Sequence, residues 1–281
     1  MIELSVKDTG EPNARMRSPS PTVYLDHWAI RQFSESKELA SQLTTAITSR
    51  GGTLAISWVN LAEFTKVTVE EQARKAEKLI EATFPRVFLL DVNSFLVIER
   101  ENRLLEGAPP IPPHADVDFL KAIIGLDPDS VNLLSARDLF AVLRNEASMQ
   151  RFNNLADTIV GRIEALRDKL ETDSQFQSAI ARLPSGTPIQ RGTRFILREL
   201  IRTLLVDPKT KLTRNHAIDL FHAVVPAAYC DLVLLDKHWE TQIERVRSRL
   251  VSAGISVSVA KVFSGKRGGV SRFLEELGNC S

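Results

Sequence analysis

The sequence predicts an α/β protein, a parallel sheet flanked by helices and interrupted by a large all-helical stretch. Two observations carry the sheet: short apolar, β-branched runs alternate with amphipathic stretches up to about residue 93, and the same alternation returns near the C-terminus. A third carries the interruption, because the sequence between has helical periodicity and is bounded by breaks rich in proline and glycine. At 281 residues and 43% hydrophobic, the chain can bury a sizeable core without disulfide staples.

Taken in order, TVYLD (22–26) is the first predicted strand, an apolar run ending in an acid. A helical stretch, HWAIRQFSESKELASQLTTAITSR, follows, and Gly51 and Gly52 are expected to stop it. TLAISWV is the second strand. Asn60 is expected to cap the next helix, which carries Leu61, Ala62, Glu63 and Phe64. RVFLLDV (86–92) is the third strand. GAPPIPPH (107–114) holds four prolines, which no helix interior or central strand accommodates. From about 115 to 183 the pattern is helical, until LPSGTPIQRGT breaks it. NHAIDLFHAVVPAAYC is helical, with Pro226 expected to kink it or end it early. DLVLLD (231–236) and ISVSVAKVF (255–263) are the last two strands. The boundaries that result are 1–21, a lead-in expected to be poorly ordered; 22–93, the first part of the α/β domain; 94–193, a helical insertion or cap; and 194–281, its second part.

The net charge of +1 does not announce a nucleic-acid binder, so any such contact needs a local basic patch. Cys230 and Cys280 form neither a CxxC pair nor zinc-ligand spacing, which fits free thiols in a reducing cytoplasm. The sequence shows no apolar run of membrane-spanning length and no signal-peptide core near its start. Walker, GxGxxG and GxSxG motifs are absent, which leaves nucleotide-binding and serine-hydrolase readings without support.

The acids are more informative. Asp26 and Asp236 each close a strand, and ligands of parallel α/β sheets gather beyond the carboxyl ends of strands. Glu63 lies about a turn into the helix after the second strand, and Asp219 is expected in the first turn of the helix before DLVLLD. Taken singly, each also reads as a cap or a solvated residue. Taken together in one crevice, they would repel one another, and a hard divalent ion relieves that repulsion. Such ions activate water and neutralise charge building on a phosphodiester.

Three segments resemble the PIN-domain nucleases: VYLD at 23–26, LAISWVNLAEF at 54–64 and IDLFHAVVPAAYCDLVLLDKHW at 218–239. The resemblance covers about half the chain, in two blocks. It implies a PIN-like fold in which Asp26, Glu63, Asp219 and Asp236 hold Mg²⁺ or Mn²⁺ and act as the catalytic group. His222 matches a histidine found in one branch of the family, and Trp239 stands where a phenylalanine is common. The sequence departs from the family at His27 and Trp28, where a small polar residue is usual, at Leu234, where Thr or Ser is usual, and at Pro226.

His222, His27 and Ser57 are auxiliary candidates near these acids; each also reads as an ordinary structural residue. Arg191, Arg194, Arg198 and Arg202 line one helical face, and Lys209, Lys211 and Arg214 follow it. That stripe is a candidate for holding a nucleic-acid backbone, with a solvated face paired to acids as the plain alternative. Lys261, Lys266, Arg267 and Arg272 form a second, weaker cluster. The expectation is therefore a cytoplasmic Mg²⁺- or Mn²⁺-dependent endoribonuclease with nucleic acid, chiefly RNA, as partner. The alternatives are an inactive PIN-like binding or scaffold protein and a metal hydrolase of small phosphoesters. The helical stretch 94–193 fits a lid, a homodimer interface or a surface for a protein partner equally well.

Overall fold

The computed structural model describes residues 1–6, 12–65, 70–107, 111–126, 134–143, 146–185, 192–207 and 212–280. Strands β1 (Ile2–Val6) and β2 (Pro12–Met16) pair antiparallel, Ile2 opposite Met16. The lead-in expected to be poorly ordered thus contains a two-stranded sheet of its own.

The main sheet has five parallel strands: β3 (Thr22–Leu25), β4 (Thr53–Ile56), β5 (Val87–Leu89), β6 (Leu232–Leu234) and β7 (Lys261–Phe263). Their order across the sheet is β5-β4-β3-β6-β7. The chain leaves the central strand β3 in one direction to β4 and β5, then returns to β6 on its other side. β3 and β6 therefore flank the topological switch point, where an open α/β sheet forms a crevice beyond its carboxyl edge. All residues of β3, β4, β5 and β6 are buried, as expected of parallel strands covered on both faces. The strands are shorter than the apolar runs suggested. TLAISWV turns into a helix at Trp58, and only three residues of ISVSVAKVF pair with the sheet.

Between β3 and β4 lie α1 (His27–Glu35) and α2 (Lys37–Ser49). The single predicted helix is split at Ser36, whose hydroxyl accepts from the Leu39 amide and caps α2. Gly51, at φ +68°, ends α2 as expected. Gly52 allows the close approach of the two strands, since a Cβ there would lie 2.5 Å from the Pro21 carbonyl oxygen.

The helices α3 (Trp58–Thr65) and α4 (Glu70–Glu81) lead to β5, and α5 (Ser94–Leu105) follows it. α6 (Val117–Leu126), α7 (Ala136–Leu143), α8 (Glu146–Thr172), α9 (Ser174–Ala181) and α10 (Thr193–Val206) complete the helical block. α11 (Arg214–Tyr229), α12 (Lys237–Ser252) and α13 (Gly269–Asn279) belong to the second half of the sheet. α11 runs on through Pro226 instead of ending early, so the His222 carbonyl loses the amide it would otherwise accept. α2 packs on α1 and α13, whereas α11 packs on α8, α10 and α12. Right-handed crossovers running in opposite directions from β3 put these two sets on opposite faces of the sheet. Helices of the 94–193 block contribute Val97, Phe119, Leu139, Ile159 and Ile163 to the same buried cluster as the strands. Among the described residues no helix is long and apolar enough to cross a membrane.

Candidate metal centre

The carboxyl edge of β3 and β6 is where the acids meet. β3 ends at Leu25, and Asp26 continues the ladder by donating its amide to the Leu234 carbonyl (3.0 Å). Its side chain caps α1, accepting from the His27 amide at 2.6 Å. Asp236 repeats this beyond β6, capping α12 by accepting from the Trp239 amide at 3.0 Å. The capping and ligand readings of these two aspartates are compatible, because a carboxylate can accept from a helix amide and still present lone pairs elsewhere.

Glu63 enters from α3. Its Oε2 lies 3.9 Å from His27 Nδ1 and 3.9 Å from His222 Nε2. One ligand atom from each of Asp26, Glu63 and His222 lies within 4.8 Å of the others, the one such group among the described residues. Asp219 and Asp236 stand outside that tight group, yet both raise the pKa of Asp26 through space. Asp219 lies in the second turn of α11, not the first, because the helix already begins at Arg214 under the Thr213 cap. All four acids are half-buried, so solvent reaches them.

Electrostatics set this edge apart. Burial pushes the Asp26 carboxyl well above its usual range, and Glu63 adds to this, followed by Asp219 and Asp236; the His27 amide offsets only part. Asp219 is pushed up to about 6 by burial and by Asp236, against a hydrogen bond from the Trp239 indole. Like charges are held together here in a form that a divalent cation would relieve.

Beneath the acids runs a buried polar chain that the sequence did not reveal. His222 is 2% exposed, and its Nδ1 is hydrogen-bonded to the Tyr24 hydroxyl. Tyr24 reaches Ser57 Oγ at 3.4 Å, and Ser57 Oγ donates to Asn60 Oδ1 at 2.9 Å. The Asn60 side-chain amide donates to the Leu25 carbonyl, tying this chain to the end of β3. Asn60 is thus not the cap of α3. Ser57 is the cap, accepting from the Asn60 amide while Asn60 Oδ1 accepts from the Ser57 amide. The arrangement is a capping box with Asn in the position usually taken by Glu or Gln, and the S-x-x-N spacing was its signal. Burial lowers the pKa of His222 to about 3, with His27 adding to the effect, so the ring is neutral at physiological pH.

The arginine stripe lies elsewhere. Thr193 Oγ1 and the Tyr229 hydroxyl both donate to Glu101 Oε1 (2.7 and 2.6 Å), so the start of α10 adjoins the end of α11. Arg194 is therefore at the far end of α11 from its first turns, where Asp219 sits. Arg202 and Arg249 both pair with the buried Glu199 (2.9 and 2.6 Å), and Arg214 makes a two-point pair with Asp157. Arg194 and Arg198 are exposed, while Arg191, Lys209 and Lys211 lie outside the described residues. The weaker cluster is divided: Lys261 opens β7 at the opposite edge of the sheet and pairs with Glu276. Lys266 and Arg267 are exposed on the loop after β7, where Gly265 packs against Trp28 two residues from Asp26, and Ser264 donates to Glu240 in the first turn of α12.

Compared with protein-family models, curated proteins and solved structures, the chain matches none.

Proposed function

We propose that this chain is a metal-dependent nuclease of the PIN kind that hydrolyses phosphodiester bonds, with RNA as its substrate. One observation carries the reading: carboxylates that follow β3 and β6 and others from α3 and α11 meet at the switch point of a parallel sheet, where ligands of such sheets bind. The donor set fits a divalent cation, since mutually repelling, solvent-reached carboxylates gain most from a hard ion. Asp26 and Glu63 would hold it, with Asp219 and Asp236 on its flank through the ion or its waters. A Mg²⁺ or Mn²⁺ ion there supplies Lewis acidity and a water of lowered pKa.

The remaining work falls to the protein. The α1 and α12 caps fix Asp26 and Asp236 on rigid helix starts, and the Trp239 indole orients Asp219. His27, half-buried beside Glu63 and against the Phe64 ring, would be the group that passes a proton to the leaving oxygen. Lys266 and Arg267 offer phosphate contacts on the same edge. With no side chain acting as nucleophile, no covalent enzyme intermediate forms.

The test is a cleavage assay on defined RNA, DNA and a small phosphoester, with Mn²⁺, Mg²⁺ or chelator. Metal-dependent, chelator-sensitive cleavage of RNA is the expected result. Turnover of the small phosphoester alone would replace the nuclease with a phosphatase. A protein that binds the ion and RNA yet cuts neither substrate would be the scaffold alternative.

A further inference from the structure

The buried polar chain has a direction, and it ends at the acids. Its starting point is a backbone N–H, which can only donate. The Ser57 amide points at Asn60 Oδ1 (3.0 Å), so that oxygen is an acceptor and the amide orientation is fixed. Ser57 Oγ must then give its proton to Asn60 Oδ1 (2.9 Å), while it accepts from the Asn60 amide (3.2 Å). With that proton committed, Ser57 Oγ meets Tyr24 only as an acceptor, so the Tyr24 hydroxyl donates to it (3.4 Å). Following that order, Tyr24 meets His222 Nδ1 with a lone pair, which assigns the imidazole proton to Nδ1. The other nitrogen, Nε2, is left with its lone pair. It is buried, has no hydrogen-bond partner among the described residues, and lies 3.9 Å from Glu63 Oε2 in the 4.8 Å group with Asp26.

An imidazole held by a hydrogen bond at one nitrogen and aimed with the other at carboxylates is how metal-binding histidines are oriented. We propose that His222 is a direct nitrogen ligand, through Nε2, of an ion shared with Asp26 and Glu63, with Tyr24, Ser57 and Asn60 as positioning residues. The consequence is selectivity. A carboxylate-only site suits Mg²⁺, whereas an imidazole ligand favours a transition ion, with Zn²⁺ above Mn²⁺. The inference rests on the acids forming a metal centre; it does not require that the centre cut RNA.

The experiment is calorimetric titration of the wild-type chain, His222→Gln and Tyr24→Phe with Zn²⁺, Mn²⁺ and Mg²⁺. In wild type, Zn²⁺ should bind more tightly than Mn²⁺, and Mn²⁺ more tightly than Mg²⁺. His222→Gln, which replaces the nitrogen by an amide, should weaken Zn²⁺ about 100-fold and Mg²⁺ far less; Tyr24→Phe should weaken Zn²⁺ about 10-fold. Equal losses for Zn²⁺ and Mg²⁺, or none, overturn the ligand assignment. Should the variants fail to fold, long-range ¹H–¹⁵N spectra of wild-type protein labelled in its histidine rings give the same decision. A proton on Nδ1 of His222, with Nε2 shifting on Zn²⁺ addition, supports the assignment, and a proton on Nε2 overturns it. A wild-type chain that binds none of the three ions removes this inference and the metal centre together. Zn²⁺ preference lost in His222→Gln, in a protein that leaves RNA intact, supports the ligand while removing the nuclease.

Discussion

Two groups of acids, one buried and one half-buried, sit along the carboxyl side of the sheet, and they are settled in opposite ways. Asp91, two residues beyond β5, receives a hydrogen bond from Arg100 (2.7 Å) and another from the Asn93 amide (2.9 Å). Arg100 also donates to the carbonyls of Pro113 and Ala115, and neighbouring Asp116 caps α6 through the Phe119 amide. Burial raises Asp91, with Arg100 pulling it back, and raises Asp116 to about 7. At the switch point, by contrast, the influences on Asp26 after burial are chiefly other carboxylates. The first group carries its own cation and closes the segment between β5 and α6. The second supplies lone pairs and no matching arginine among the leading influences on its central acid. Burial of an acid is by itself no mark of a site; the partners it keeps are.

The largest effect expected from this contrast is on cleavage. Asp26→Asn should lower the rate by roughly 1,000-fold, about 4 kcal/mol of transition-state stabilisation, with a melting temperature equal to or above wild type. Single-turnover kinetics beside a thermal melt check both halves. The mirror-image change, Arg100→Ala, should cost about 3 kcal/mol of stability by leaving Asp91 buried without its cation. Its folded fraction should retain metal-dependent cleavage. A denaturant titration reads the stability, and an unchanged midpoint would break the comparison.

The next effect is on pH dependence. Asp219, at about 6, holds a proton in the folded chain where the unfolded chain has already lost it. Its contribution to stability is therefore greatest below about pH 4 and is lost as pH rises through 6. Melting temperatures of ion-free protein should fall between pH 5 and 7.5, and Asp219→Asn or saturating Mn²⁺ should flatten that slope. The smallest effect separates the two basic regions. Replacing Lys266 and Arg267 together by alanine should weaken RNA binding and reduce its salt slope by about 2, whereas the Arg194 and Arg198 pair should change it less. The reverse ranking would return substrate to the arginine stripe.

Much of this was legible in the sequence. Asp26 and Asp236 follow apolar runs whose length and composition are local signals, and Gly51 ends α2 where a left-handed residue was needed. Helical periodicity from 115 to 183 likewise survives in α6 to α9. What was not legible depends on long-range pairing. ISVSVAKVF alternates well enough for a strand, but only the part reaching β6 pairs. Asn60 and Ser57 are both good caps, and only the register of α3 decides between them. Tyr24 read as an apolar strand residue; its contact with His222 joins positions 198 residues apart and exists only once β3 and α11 are packed. The arginine face was regular on the helix, yet the fold turned one member to Glu199 and carried another to the far end of α11.

If the switch-point acids form a cation site, Mn²⁺ calorimetry on the wild-type chain and Asp26→Asn will read it without reference to any substrate. Wild type should bind Mn²⁺ saturably, and Asp26→Asn should lose that binding, with both proteins folded. Wild-type protein that takes up no Mn²⁺, or an Asp26→Asn variant that binds it equally well, would contradict a cation site there.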